Sequence, residues 1–434
     1  MTDGETKPKK NSQSSHDQFK QLLVDASRCV KCGRCLSVCP VYRELGREKG
    51  VARGKLSLIE SQGDKGFKRS SKKLKEIISL CLLCGACKEN CPNLVEGDKI
   101  IQKARGALFS RKYPPLPLKL MLQHILTSPK KMDKLLQAGK LLQPLFLKKI
   151  PSESGLHLRF PFSSWGKKRV VPDLAKESFL KKYSGEKVPA RTDVALFVGC
   201  VGNYLFPKVP EAAVEIFKHL NLSVQIPQEQ ACCGLMAFGA GMDEIDVELV
   251  KRNTEAFEKT GSIPIVASCS SCSAHLKHYP DLFEEGEWKE RAKRFSQRVK
   301  DISEFLVEKS YAPEGKAKPN TLSSRLTFHD PCHLRRKQGI FEAPRKLLKS
   351  LPGVEFIETG NENLCCGSGG SFNLSHYDLS KKIFQRRIKP IDEKKVDTVV
   401  TSCMGCLLQF LDGLRREGKS VKVKHLLEVL KEKN

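Results

Sequence analysis

Cysteine spacing constrains this chain more than any other feature. Cys29, Cys32, Cys35 and Cys39 recur as Cys81, Cys84, Cys87 and Cys91, each shifted by 52 positions. A second set, Cys200, Cys232, Cys233, Cys269 and Cys272, recurs as Cys332, Cys365, Cys366, Cys403 and Cys406, with shifts of 132 to 134. The two duplications absorb all 18 cysteines of the 434 residues, so the chain is built from internal repeats.

In a small secreted protein such a count would read as disulfides. Here residues 1–15 are polar, with no apolar stretch to direct export. The expectation is therefore a cytoplasmic chain whose reduced thiols hold metal or do redox chemistry. No run of roughly 18 uncharged apolar residues is present, which argues against a transmembrane helix. The net charge of +27 is concentrated, since residues 111–190 hold 17 basic and 5 acidic residues. That surplus fits an anionic membrane surface or an acidic protein partner. Nucleic acid fits poorly: there is no helix-turn-helix, zinc-finger or RNP-type motif, and only 7% of residues are aromatic.

The first set has the form C-x2-C-x2-C-x3-C-P, as CVKCGRCLSVCP and CLLCGACKENCP. Close spacing lets one loop wrap three corners of a 4Fe–4S cubane, and the fourth cysteine, before Pro40 or Pro92, serves the other cluster. The expected ligand sets are Cys29, Cys32, Cys35 and Cys91 for one cubane, and Cys81, Cys84, Cys87 and Cys39 for the second. Zinc knuckles are the rival, but they separate C-x2-C pairs by longer loops. The 41 residues between Cys39 and Cys81 predict intervening helices, hence a helical ferredoxin.

In the second set, five thiolates exceed what tetrahedral zinc or a regular cubane requires. Adjacent cysteines point in divergent directions and suit a cluster gripped from several sides. Gly234 and Gly367, after each pair, allow positive φ or close backbone approach. A C-x2-C zinc site with spare thiols, or a dithiol/disulfide pair, stays open for either repeat. Each repeat also has an α/β grammar. Apolar strands VALFVGC and LTFHDPC lead into helices at 211–220 and 342–351, and strands SVQIP and VEFIE follow. IPIVASC and DTVVTSC then close each repeat. This predicts parallel sheets whose cysteines gather at the carboxyl ends of strands. His329 and His333 bracket Cys332, but the first repeat has Phe197 and Val201 there, so ligation by either is not expected. His275 and His278, after Cys269-x2-Cys272, read as surface residues of a helix.

The expected organisation is a disordered basic tail (1–15), a two-cluster 4Fe–4S ferredoxin domain (16–110), a basic amphipathic helical connection (111–192), and α/β repeats at 193–320 and 321–434. The fold class is α/β with an α-helical N-terminal domain. Within the connection, Leu-rich segments 116–126 and 135–147 read as short amphipathic helices, Pro144 interrupting the second.

The pattern C-x31–32-CCG-x34–35-C-x2-C resembles the cysteine-rich CCG domain of heterodisulfide reductases and related electron-transfer subunits. That resemblance implies a non-cubane 4Fe–4S cluster, or zinc in some members, on Cys200, Cys232, Cys233, Cys269 and Cys272, and another on Cys332, Cys365, Cys366, Cys403 and Cys406. The order of two ferredoxin motifs and two CCG domains resembles the iron–sulfur subunits of glycolate oxidase and D-lactate dehydrogenase complexes. GVARGKLSLIE, HDPCHLRRKQG and LCCGSGGSFNLSHYDLS carry local matches. The resemblance implies an FAD-binding dehydrogenase partner oxidising glycolate or D-lactate, and a membrane quinone as acceptor, with peripheral placement on the inner face of the membrane. The chain itself has no G-x-G-x-x-G after a strand, which predicts an electron wire whose flavin sits on a partner. Many glycolate oxidase subunits have an eroded first CCG repeat, whereas this chain keeps all five cysteines. A heterodisulfide-reductase-like catalytic role stays open on that account, as does the layout of anaerobic glycerol-3-phosphate dehydrogenase.

Overall fold

The computed structural model describes residues 12–63, 71–109, 128–149, 156–158, 169–170, 172–185, 191–313 and 324–432. The chain divides into two compact units, residues 1–112 and 113–434.

Among its described residues the first unit is helical, built on α1 (Ser12–Ser27), α2 (Ala52–Glu60), α3 (Lys72–Ser79) and α4 (Gly97–Phe109). Apolar residues at helical spacing form its core: Leu22 and Ala26 of α1, Leu56 and Ile59 of α2, Leu74 and Ile78 of α3, and Ile101, Ala104 and Leu108 of α4. Ser71 starts α3 by accepting a hydrogen bond from the Leu74 amide. Helix α1 begins at Ser12, inside the stretch expected to be tail, because its Leu22–Ala26 face has a core to pack on. Residues 1–11 lie outside the described residues.

The second unit contains two four-stranded parallel sheets. The first is β1 (Val194–Phe197), β2 (Val224–Gln225), β3 (Ile265–Ala267) and β4 (Val299–Asp301), in spatial order β2-β1-β3-β4. The second is β5 (Ser324–Phe328), β6 (Val354–Phe356), β7 (Thr398–Thr401) and β8 (Lys422–His425), in the same order, β6-β5-β7-β8. Register repeats as well: Ala195 opposes Ile265 as Thr327 opposes Val399. Strands β1, β3 and β7 are buried along their whole length, as parallel strands covered on both faces must be. Strands β4 and β8 lie beyond the C-x2-C at which the apolar pattern of each repeat ends; both are short and carry lysine, too little for periodicity to register.

Helices that carry or face the cysteine loops include α5 (Pro129–Phe146), α6 (Asp243–Glu258), α7 (Ser270–Lys277), α8 (Cys332–Gln338), α9 (Tyr377–Glu393) and α10 (Met404–Arg416), which follows β7. Helix α5 runs through Pro144 and ends two residues later, so the proline falls in its last turn instead of breaking it. The other expected amphipathic segment, 116–126, lies outside the described residues. No helix among the described residues is long and apolar enough to cross a membrane.

Candidate metal centres

In the first unit the two cysteine loops pack on the helical core, with Cys29, Cys35, Cys81, Cys87 and Cys91 half-buried against it. Gly33 and Gly85 take positive φ, turning each loop between its second and third cysteines. Cys39 caps the helix that follows it: its Sγ accepts from the Tyr42 amide at 3.5 Å and donates to the Gly50 carbonyl at 3.4 Å. The same thiol lies within electrostatic reach of Cys84 and Cys81, and Cys87 within reach of Cys81, Cys84 and Cys39. The fourth cysteine of the first motif is thus placed with the first three of the second. Burial pushes the Cys39 thiol up to about 11 and raises Cys87 too, with Asp98 adding to it. Cys35 is raised by burial, with a backbone hydrogen bond to Arg53 opposing. Cys32 is exposed, and Cys91 Sγ accepts from the Val95 amide at 3.4 Å.

Two buried cations flank the second loop. The Arg105 guanidinium donates to the carbonyls of Ile78, Ser79 and Cys81, fixing the backbone where that loop begins. Lys55 is 1% exposed and feels the charges of Cys81, Cys39 and Cys87.

In the second unit the cysteines stand at the carboxyl ends of β1, β3, β5 and β7, where ligands of parallel sheets gather. Within the first repeat Cys200 Sγ is 3.5 Å from Cys232 Sγ. Cys233, Cys272 and Cys269 follow in turn, each within electrostatic reach of the one before. In the second repeat Cys366 Sγ lies 3.4 Å from Cys406 Sγ, with Cys365 beside Cys366 and Cys403 within electrostatic reach of Cys406. Cys332 opens α8 at the end of β5.

The two sets are not separate. Cys269 and Cys403 lie within electrostatic reach of each other, and the Met404 amide donates to Cys269 Sγ at 3.4 Å. The Ser270 amide donates to the Ser402 carbonyl at 2.9 Å, and Ser271 Oγ sits 3.0 Å from Cys403 Sγ and 2.9 Å from His333 Nδ1. A series of nine of the ten sulfur atoms therefore runs from Cys200 to Cys365 across the repeat boundary, with Cys332 at its side on α8.

Such a series cannot ionise evenly. Hydrogen bonds from neighbouring thiols hold Cys232, Cys366 and Cys403 well below the ordinary thiol range. The same bonds, with burial, push Cys200, Cys233, Cys272 and Cys406 well above it. Each thiolate that forms suppresses the next, and a cationic metal centre removes that conflict by accepting several at once. The donor set, soft sulfur only and buried, fits iron–sulfur or zinc chemistry.

The polar surroundings went largely unread in the sequence. His275, expected at the surface, is 4% exposed and bonds Asp246 through Nε2 at 2.9 Å beside the Cys232 loop. His278 is partly exposed, as expected. Gly234 is obligatory there: at φ +97° a Cβ would lie 2.0 Å from Asp246 Oδ1. His329 lies within 4.8 Å of both Cys366 and Cys406, measured between ligand atoms. Only the tertiary packing of α6 and α9 behind the CCG loops brings these groups in. The one available signal was a difference between the repeats at positions where the cysteines match. Over the first repeat, Pro129 and Met132 of α5 join Leu180, Tyr204 and Gln230 in lining a cleft that reaches Cys200 and Cys232.

Residues 194–277 and 326–411 match the cysteine-rich domain termed CCG, and residues 25–95 match a 4Fe–4S dicluster domain. Across 98% of each chain, this sequence is 30% identical to the "Probable glycolate oxidase iron-sulfur subunit" of Bacillus subtilis. The chain belongs to the glycolate oxidase iron–sulfur subunit family. Another relative, a subunit of the fumarate reductase (CoM/CoB) of Methanothermobacter marburgensis, is 31% identical over 93% of this chain and 71% of its own length. Lactate utilization protein A of Oceanobacillus iheyensis is 33% identical over 55% of this chain and 96% of its own. Family membership makes this an iron–sulfur protein of oxidoreductase complexes, with two α/β CCG domains behind a helical dicluster domain.

Proposed function

We propose that the chain is an electron relay, taking electrons from an FAD-binding dehydrogenase subunit that oxidises a 2-hydroxy acid, glycolate or D-lactate, and passing them to a quinone. The observation that supports this reading is the sulfur arrangement: Cys39 lies near Cys81 and Cys84 in the helical unit, and nine of the ten cysteines of the α/β unit follow one another in a single series. Iron–sulfur clusters exchange single electrons when bound. The protein's part is to hold them and set their surroundings. Cys29, Cys32, Cys35 and Cys91 are assigned to one cubane, and Cys81, Cys84, Cys87 and Cys39 to the other. The two five-cysteine sets are assigned to two CCG centres. Among the sequence motifs none supplies a flavin site, which puts substrate chemistry on the partner. Lys131 and Lys134 on the exposed face of α5 support a peripheral place on the cytoplasmic face of the membrane, where each lysine is worth about 1 kcal/mol.

The test is turnover. The purified chain alone should not oxidise glycolate or D-lactate with an artificial dye, and adding the flavoprotein should restore activity. Turnover by the chain alone would refute the relay. A second reading is favoured by the bonds that cross between the repeats, Met404 amide to Cys269 Sγ and Ser271 Oγ beside Cys403 Sγ, which make the CCG centres neighbours. Two electrons could then reach one disulfide or quinone between them, and disulfide reduction by the isolated chain would select it.

A further inference from the structure

Arg387 of α9 is the largest fully buried side chain among the described residues, and its placement is unlike that of a structural arginine. Its Nη1 and Nη2 find no hydrogen-bond partner there. Its Nε donates to His329 Nδ1 at 3.2 Å. An arginine has no acceptor, so the direction of that bond is certain, and Nδ1 of His329 must carry the lone pair. The ring proton is then on Nε2. A ring nitrogen of His329 lies within 4.8 Å of Cys366 Sγ, and with Nδ1 engaged by Arg387 the Nε2–H is the group left to face that sulfur. A neutral imidazole that accepts at Nδ1 and is protonated at Nε2 has no lone pair to give a metal. It is a donor to the cysteine sulfur.

The first repeat lacks the whole device. Phe197 stands where the second repeat has His329, and Asn253 of α6 stands where α9 has Arg387. Asn253 instead ties backbone together, accepting from the Ala231 amide and donating to the Cys232 carbonyl. We propose that Arg387 holds His329 as the Nε2–H tautomer, and that His329 donates a hydrogen bond to Cys366 sulfur, raising the reduction potential of the second CCG centre alone. A donor to a ligating sulfur favours the more negative, reduced state, and the adjacent buried guanidinium acts in the same sense. His329 and Arg387 are positioning residues. The inference rests on the reading that Cys366 helps to hold an iron–sulfur centre.

The test uses the full chain, prepared anaerobically and labelled with ¹⁵N-histidine, in a potentiometric titration followed by electron paramagnetic resonance. His329→Phe, which installs the residue of the first repeat, should weaken reduction of one CCG centre about tenfold, or about 59 mV for one electron. The other centres should not move. Arg387→Met should shift the same centre in the same direction by less, and His329→Gln, whose amide can donate, should restore most of the potential. Hyperfine spectra should show one weakly coupled histidine nitrogen, absent in His329→Phe. A strongly coupled nitrogen would make His329 a ligand and overturn the proposal. So would unmoved potentials in His329→Phe, or a redox-silent zinc in the second centre. Should His329→Phe fail to fold, Arg387→Met and His329→Gln decide: equal loss in both overturns it. Iron and sulfide content of the unaltered chain separates failure of this inference from failure of the cluster assignment beneath it.

Discussion

The two CCG repeats share strand order, register and cysteine frame, yet surround their sulfur atoms differently. Behind Cys232 and Cys233 of the first stand a buried carboxylate and imidazole, Asp246 and His275. The matching positions of the second are Ser380 and Gln409, which hydrogen-bond each other and Asn373 without charge. The second places charge elsewhere, at Arg387 and at an ion pair between Asp330 and Arg345. Those two positions in the first repeat are Val198 and Val214, both in the apolar core. Duplication copied the metal-holding frame, and divergence acted on the electrostatics around it. Two centres on one frame can thereby work at different potentials.

The largest expected effect separates the centres themselves. Cys233→Ser and Cys366→Ser should each remove the iron of one CCG centre and leave both cubane signals, by metal analysis and low-temperature resonance. If either variant emptied both CCG centres, the continuous sulfur series would be a single site. A smaller effect is expected at the ion pair. Asp330 is 2% exposed and accepts from Arg345 Nη1 at 2.9 Å, with Arg335 as a further partner. Arg345→Val should cost about 3 kcal/mol in urea denaturation, because it leaves a buried carboxylate undercompensated. Asp330→Val with Arg345→Val rebuilds the apolar pair of the first repeat and should recover to within about 1 kcal/mol of the parent. A double variant as unstable as the single one would show that the repeats are not interchangeable there.

The smallest effect lies at the ends of β4 and β8. Asp301 caps the helix after β4, its carboxylate accepting from the Ser303 amide, while His425, the last residue of β8, accepts from the Leu427 amide through Nδ1. Burial pushes His425 down from 6.5 to about 4. A group whose folded value is depressed binds its proton more readily in the unfolded chain. Its contribution is present above pH 6.5 and lost as pH falls toward 4, by up to about 3 kcal/mol. His425→Asn should keep a cap and flatten that limb of the stability curve relative to the parent. Parallel curves for the two proteins would assign the acid sensitivity to other groups.

Much of the frame was legible because cysteine spacing is a local signal. The x2 and x3 intervals place turns, and apolar runs ending on Cys200, Cys269, Cys332 and Cys403 place strands. What escaped depends on contacts across long stretches of chain. Asp246 meets His275, and Arg387 meets His329, only after α6 and α9 fold back on their loops. A histidine after C-x2-C looks the same in sequence whether its helix face is exposed or packed. Ser271, which reaches Cys403 of the other repeat, carried no sequence mark.

The central claim is that the 18 cysteines hold iron–sulfur centres for electron relay. Iron, zinc and acid-labile sulfide measured together on anaerobically prepared full chain test it most directly. The expected result is about 8 iron per chain from two cubanes, rising to about 16 if each CCG centre holds four, with matching sulfide. Chain that carries mostly zinc and no acid-labile sulfide would contradict the account.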